Sequence, residues 1–488
     1  MAAKSLFLGL DVGTQGTKAL LIDLESQRVL ARASSAYGLI EGLPPGAAEQ
    51  HPSTWIEAIR AACAELFRER PRDRARVGGV GVSGQQHGLV VLDEQGEALR
   101  AAKLWCDTAT AKEAEELSQR LGQRIPVGYT ASKITWLAQQ EPRVFERVAR
   151  VLLPHDYVNF VLTGKAWMEC GDASGTGFFD AAQRRFDARA MQAVHPRLAQ
   201  LLPPLVAADA LPGVLDARGA QLTGLAQGTP VSAGSGDNMC SAIGSGATRA
   251  GVLVCSLGTS ATIFHRSERP LADPEGLIAP FCDASGAWMP LLCVMNATGV
   301  SEEVRRAFAL THERFDELAL SVDPGAGGLL FLPYLAGERV PDLPQACGVL
   351  HGVRGGSLEP AALARAALEG VALNLAWGLE RLRALGTHGE ELHLVGGASR
   401  SRAWKRVLAD VLGLRVRPLA EPESAALGAA LQAAWAVSRS TGGSASLDEL
   451  ARGFLAGAGE PLDPDPRAAA EYRVLGARFR ELVRRNFD

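Results

Sequence analysis

From Leu6 the chain sets short apolar runs between small-residue turns: Leu6 to Leu10, a Gly/Thr turn, Ala19 to Ile22, then Val29 to Ala33. Runs this short, bounded by turn residues, predict three strands of a β-meander. Trp55, Ile56, Ile59, Ala62, Cys63, Leu66 and Phe67 then recur at helical spacing. Thr54, with Glu57 three residues on, has the form of a capping box, which predicts that a helix starts there. Val77 to Val82 reads as a buried strand despite its glycines. Three strands, a helix and a further strand predict a mixed sheet with helices on its faces.

Near Ala250 this order begins again: Val252 to Leu257, a Gly/Thr turn, Thr262 to His265, and Trp288 to Met295. The turns Gly13-Thr14-x-x-Thr17 and Gly258-Thr259-x-x-Thr262 share one pattern half a chain apart. Two similar α/β lobes follow as the expectation, residues 1–247 and 248–488. Ser357 and Pro360 introduce a long helix toward Leu385, since proline is tolerated in a first turn. Leu392 to Val395 reads as a strand ended by Gly396-Gly397, with a further helix from Ser401. Ala425 to Val437 is an Ala-rich buried helix, and the tail from Ala468 is amphipathic. Arg68 to Arg76, Pro44-Pro45-Gly46 and Ser440 to Ser446 read as surface connections.

Composition narrows the partners. Of 488 residues, 47% are hydrophobic, so a large core can form, and 50 basic against 54 acidic side chains give a formal charge of -4. That balance argues against a nucleic-acid or anionic-membrane footprint and points to small molecules. Eight cysteines without a C-x-x-C pair suit reduced thiols of a cytoplasmic protein without structural zinc. Asp11 interrupts the first apolar run before a signal-peptide core could form, and no stretch reaches the roughly 20 apolar residues of a membrane helix. A soluble protein is expected.

Two nucleotide signatures fail. No G-x-x-x-x-G-K-[ST] sequence occurs. Gly79-x-Gly81-x-x-Gly84 spells the dinucleotide fingerprint, but the extended run Leu89 to Leu92 follows where a cofactor-binding helix should start. The two Gly/Thr turns remain. Gly13, Thr14 and Thr17, like Gly258 and Thr259, offer backbone N–H groups and hydroxyls to phosphate oxygens, and Asp11 at the end of a strand can hold Mg²⁺. Each turn alone is also an ordinary hairpin, whereas the pair suggests a phosphate clamp. Asp237, in Gly234-Ser235-Gly236-Asp237-Asn238 after the apolar run Pro230 to Ala233, suits a base accepting a hydroxyl proton, or an ordinary Asx turn. Gln86 and His87, between glycines, suit a polyhydroxylated ligand or a structural contact. Gly396, Gly397 and Ser399 leave room for adenosine or form a simple strand-to-helix turn.

Taken together and in this order, these residues resemble the FGGY family of carbohydrate kinases over nearly the whole chain. The most specific part is Gly328-Leu329-Leu330-Phe331-Leu332-Pro333-Tyr334-Leu335-Ala336-Gly337-Glu338-Arg339, followed by Gly348-Val349 and Ala366-Ala367-Leu368-Glu369-Gly370. Within the family the chain is most similar to the kinases of D-xylulose. The matching segments are Gln86-His87, Trp105-x-Asp107, Lys133-x-x-Trp136, Leu153-Pro154-x-Asp156-Tyr157, Asp172-x-x-Gly175-Thr176 and Gly236-Asp237-Asn238.

The resemblance implies two actin-like ATPase (ribonuclease H-like) lobes with a nucleotide and sugar cleft between them. It implies ATP and Mg²⁺ as cofactors, with the γ-phosphoryl group passing to D-xylulose to give D-xylulose 5-phosphate. Asp237 would be the base, and Asp11 would serve metal and phosphates. Gln86, His87, Trp105, Asp107 and Asn238 would form the sugar site. Gly13, Thr14, Thr17, Gly258 and Thr259 would hold phosphates, and Gly396, Gly397 and Ser399 the adenosine. The sequence departs from the common pattern at Gln86, where methionine is frequent, at His155, where lysine is frequent, and at Thr108-Ala109-Thr110, which lacks an arginine. Kinases of ribulose, gluconate, fuculose or glycerol therefore stand as alternatives, with an actin- or chaperone-like ATPase as a reading from another class. Oligomeric state stays open, a homodimer included.

Overall fold

The structure, a computed structural model, describes residues 4–455, 457 and 459–487. Strands β1 (Leu6–Val12), β2 (Gly16–Asp23) and β3 (Arg28–Ala36) form the predicted meander, with β1 and β2 antiparallel and β2 and β3 antiparallel. The first helix, Pro52–Leu66, begins two residues before the expected capping box. Pro52 presets its φ and lacks the N–H that a first turn leaves unbonded, so the helix starts at the proline with no side-chain cap. Strand β4 (Val77–Gly84) lies parallel to β1 and is buried throughout. A turn and the short strand Val90–Leu92 follow, so the glycine fingerprint leads into no helix.

The chain divides into two compact units that are discontinuous in sequence. The first comprises 1–244, 280–289 and 423–454, and the second 245–279, 290–422 and 455–488. In the first unit the sheet runs Gly213–Val214, Pro230–Val231, β4, β1, β2, β3, and Ser235–Gly236 also pairs with β4. Leu6, Leu8 and Leu10 of β1, Val80 and Val82 of β4, and Trp55, Ile59 and Phe67 fill the core of this unit. The Ala-rich helix Ser424–Ser440 also belongs here.

The second unit repeats the order. The six-stranded sheet contains β5 (Gly251–Leu257), β6 (Ala261–His265), β7 (Ile278–Cys282), β8 (Trp288–Val294), β9 (Gly389–Val395) and β10 (Arg415–Pro418), arranged β7-β8-β6-β5-β9-β10, with residues 280–282 of β7 and 288–289 of β8 counted in the first unit. As with β1, the first strand has an antiparallel neighbour on one side and a parallel one, β9, on the other. The long helix Pro360–Ala384 starts at its proline as expected, and Ser401 caps the helix Arg402–Leu412 through the Trp404 N–H. The amphipathic tail forms the helix Pro466–Phe487, which buries Tyr472, Phe479, Leu482 and Val483 against Leu330, Leu332 and Tyr334. Among the described residues no helix is long and apolar enough to cross a membrane.

Candidate functional site

Strand pairing, more than loop shape, builds the first group. Asp11, the last residue but one of β1, has Lys18 opposite it on β2 and Ser83 opposite it on β4. The Ser83 hydroxyl donates to Asp11 Oδ1 at 2.8 Å, and Lys18 pairs with Glu423 at 2.7 Å. Burial pushes the Asp11 carboxyl up, while Lys18 and Ser83 pull it down. Sequence reasoning missed Lys18 and Glu423. Period-two alternation through the Gly/Thr hairpin could have placed Lys18 across from Asp11, but nothing local points to Glu423.

In the β1–β2 turn the Gly13 N–H bonds Gly16 O at 3.1 Å. The Thr14 hydroxyl donates to Gln85 Oε1 at 3.1 Å and accepts from the Trp105 indole at 2.9 Å. Thr17 is fully buried, its hydroxyl 3.2 Å from Tyr37 Oη, and Tyr37 in turn donates to Gly13 O. The turn is therefore braced from within, and Thr17 spends its hydroxyl on that bracing.

Asp237 is not in a loop. It is the first residue of the helix Asp237–Gly244, directly after the short strand Ser235–Gly236 that pairs with the end of β4. Its Oδ1 accepts from the Asn238 N–H at 2.8 Å and from Asn238 Nδ2 at 3.1 Å, and Asn238 Nδ2 also donates to Gln86 Oε1 at 2.9 Å. Desolvation raises the Asp237 carboxyl to about 7, with the negative charges of Asp11 and Asp172 adding to the rise. Asp237 in turn raises the Lys18 ammonium. Asp11, Gln86, Asp237 and Asn238 thus form one group in the first unit.

His87 holds a positive φ of 64°. Its ring lies 4.8 Å from Tyr129 and 6.0 Å from Phe281, two neighbours that sequence spacing could not supply. Trp105 is 38% exposed, whereas Asp107 is wholly buried. The Asp107 carboxylate accepts from the Ala48 N–H at 2.9 Å, from Lys103 Nζ at 3.1 Å and from the Ala109 N–H at 3.1 Å. Its oxygens brace the loops behind Trp105.

Behind Gln86 lies a buried ionic group made by His155, Asp156, Glu169 and Asp172. His155 Nδ1 is 2.6 Å from Asp172 Oδ2, and its Nε2 is 3.2 Å from Asp156 Oδ1. Glu169 accepts from the N–H groups of Gly171 and Asp172 and from the Ser235 hydroxyl, each at 2.6 Å.

In the second unit the β5–β6 turn stands at the matching place but is one residue shorter, Leu257 pairing with Ala261 where Val12 pairs with Thr17. The Gly258 N–H bonds Ser260 O at 3.0 Å, and the Gly258 and Thr259 carbonyls accept from Thr298 and Ala297. Gly396 has φ 93°, and a Cβ there would lie 2.5 Å from Leu257 O, so the loop leaving β9 adjoins this turn. Gly258, Thr259, Gly396 and Gly397 are exposed, and nothing lies within 4 Å of where a Gly397 Cβ would be. The Ser399 N–H closes the loop on Gly396 O at 3.1 Å.

Comparison with known proteins identifies the family. Residues 6–244 match the N-terminal domain of the FGGY family of carbohydrate kinases and residues 253–437 its C-terminal domain. The chain is 38% identical to the xylulose kinase of Haemophilus influenzae, covering 88% of this chain and 90% of the relative. It is 37% identical to that of Streptomyces coelicolor over 96% of this chain and 95% of the relative. A crystal structure of a xyloylose kinase from Brucella ovis, 32% identical, superposes over 98% of each chain with a TM-score of 0.90. The mixed α/β architecture is that of the two-domain, actin-like ATPase fold. The chain belongs to the FGGY family of carbohydrate kinases, phosphotransferases that act on an alcohol group with ATP as phosphate donor.

Proposed function

We propose that this chain transfers the γ-phosphoryl group of ATP to the 5-hydroxyl of D-xylulose, giving D-xylulose 5-phosphate and ADP. The observation that carries the reading is Asp237, at a helix start with its carboxylate fixed by Asn238 and, through Asn238, by Gln86. Its 37–38% identity to bacterial xylulose kinases supports the choice of sugar.

In this reading Asp237 orients the sugar hydroxyl and takes its proton, a role worth about 10²- to 10⁴-fold. Gln86, His87 and Asn238 receive the sugar hydroxyls, with Trp105 exposed beside Thr14 as a wall. Asp107 contributes by bracing that wall from inside. The Gly13-Thr14 and Gly258-Thr259 turns receive the phosphates by donors other than the Gly13 and Gly258 N–H groups, which are bonded to Gly16 O and Ser260 O. Thr17 stiffens the first turn, and Gly396, Gly397 and Ser399 form the adenosine platform. In this reading the first compact unit, which stops at 244 rather than the expected 247 and adds residues 280–289 and 423–454, carries the sugar and metal side, and the second, the rest of the chain in place of the expected 248–488, the nucleotide side.

A lone carboxylate suits Mg²⁺, which keeps most of its waters and relies on substrate phosphates. Asp11, its Oδ1 held by Ser83 and its charge felt by Asp237, is the carboxylate placed for that role. Bound there, Mg²⁺ would neutralise charge on the transferring phosphoryl group. We read the enzyme as cytoplasmic.

An assay coupling ADP release to D-xylulose, run beside ribulose, gluconate, fuculose and glycerol, tests the proposal. D-xylulose should give the highest kcat/KM. Turnover of ATP that ignores every sugar would overturn it in favour of an ATPase.

A further inference from the structure

The reaction as proposed leaves a cation unused. His155 is fully buried at the second position of the helix Pro154–Thr163, between two glycine-bearing segments. A Cβ on Gly84, at the end of β4, would lie 2.8 Å from His155 N, and one on Gly234 would lie 3.1 Å from His155 Cδ2. Gln86 follows two residues after Gly84, and Asp237 three residues after Gly234. The imidazole is thus wedged where the segments carrying the sugar ligand and the base converge.

Its charged neighbours are three carboxyls: Asp156 from its own helix, and Asp172 and Glu169 from the segment beginning at Met168. Burial opposes the imidazolium, but these carboxyls together raise His155 to about 9. From His155 a line of contacts reaches the base. Nδ1 meets Asp172 at 2.6 Å. Burial raises the Asp172 carboxyl, while His155 and, last, the Gln86 side chain pull it down. Asp172 Oδ1 and Gln86 Nε2 are both buried without a hydrogen-bond partner, so this link is one of packing. Gln86 and Asp172 together leave no room for a Cβ on Gly236, the residue before the base. Gln86 Oε1 then holds Asn238, and Asn238 holds Asp237.

We propose that His155 is a positioning residue: a buried cation that fixes Asp172 and, through Gln86 and Asn238, sets the aim of the Asp237 carboxylate. The inference rests on the reading of Asp237 as the base. Both ring nitrogens face carboxyls, so if charge rather than imidazole shape is what matters here, lysine, frequent at this position in the resembled family, substitutes for histidine and a neutral side chain does not.

The test compares His155→Gln, His155→Lys and Asp237→Asn in the full chain, with melting temperature recorded for each. If the proposal holds, His155→Gln lowers kcat by about tenfold or more while the KM for the sugar moves less than about threefold, and His155→Lys stays within about fivefold of the parent. A packing role alone would not be rescued by a side chain of different shape. Should His155→Gln fail to fold, the lysine variant decides alone, parent-like turnover supporting the proposal. A folded His155→Gln with kcat within about twofold of the parent, or a folded lysine variant with lost turnover, overturns it. Near-normal turnover in Asp237→Asn would instead overturn the reading of the base, so the two failures are distinct.

Discussion

Asp11 shows how a side chain's neighbours follow from strand register. Antiparallel pairing places Lys18 opposite it and parallel pairing places Ser83 there, so a carboxylate in a buried strand keeps two polar partners without any dedicated loop. Asp237 lacks that support and depends on Asn238. Asp237→Asn keeps the shape but removes the proton acceptor, so turnover should fall by about 10²- to 10⁴-fold with sugar affinity little changed; isothermal titration beside the kinetic assay separates the two. The same residue sets a pH dependence. Burial, then Asp11 and Asp172, raise its carboxyl to about 7, and a base works only when ionised. kcat/KM for the sugar should therefore rise with pH through that value, by about tenfold per unit on the acid side. A flat profile between about pH 5.5 and 8 would exclude Asp237 as the titrating base. The positions of Asp11 and Asp237 after apolar runs were legible in the chain. Their neighbours Glu423 and Asp172 were not, because long-range contacts leave no local pattern.

At the scale of elements, the glycines that seemed out of place in β4 have a packing reason. A Cβ on Gly81 would overlap the Ala429 carbonyl, and one on Gly9 of β1 the Ala426 carbonyl, both in the helix Ser424–Ser440. The same helix meets Asp237–Gly244 with equal closeness, where Gly428 faces Cys240 O and Gly244 faces Ser424 O. The Ala-rich composition of one element and the glycines of its partners are two halves of a single contact, visible in the chain only as unrelated oddities. The Thr54-to-Glu57 box misled for a different reason, since a proline two residues earlier already supplied the helix start. The contact predicts that Gly81→Ala destabilises the protein by about 1–3 kcal/mol through overpacking. Gly38→Ala, where no atom lies within 4 Å of the added carbon, should stay within about 0.5 kcal/mol. Urea denaturation at a fixed m-value measures both.

For the molecule as a whole, this packing decides which stretches of chain can fold alone. The hydrophobic pattern suggests a cut near residue 247, and the family's N-terminal domain also ends at 244. The first compact unit nevertheless includes 423–454. Without the helix Ser424–Ser440, one face of β1 and β4 loses the cover that Gly9 and Gly81 were shaped to receive. Gly234 also loses its hydrogen bond to Gln432 Oε1 at 2.9 Å, and Ser232 loses one at 3.2 Å to the same oxygen. Those two bonds hold the segment that delivers Asp237. A fragment of residues 1–247 should therefore be poorly folded, with dye-accessible apolar surface and no cooperative thermal transition. Joining residues 423–454 to it through a flexible linker should restore a cooperative transition, since the missing helix returns to a site already shaped for it. Circular dichroism melts of the two fragments decide the matter: a sharp transition in the shorter one would mean that β1 and β4 hold their arrangement without the late helix.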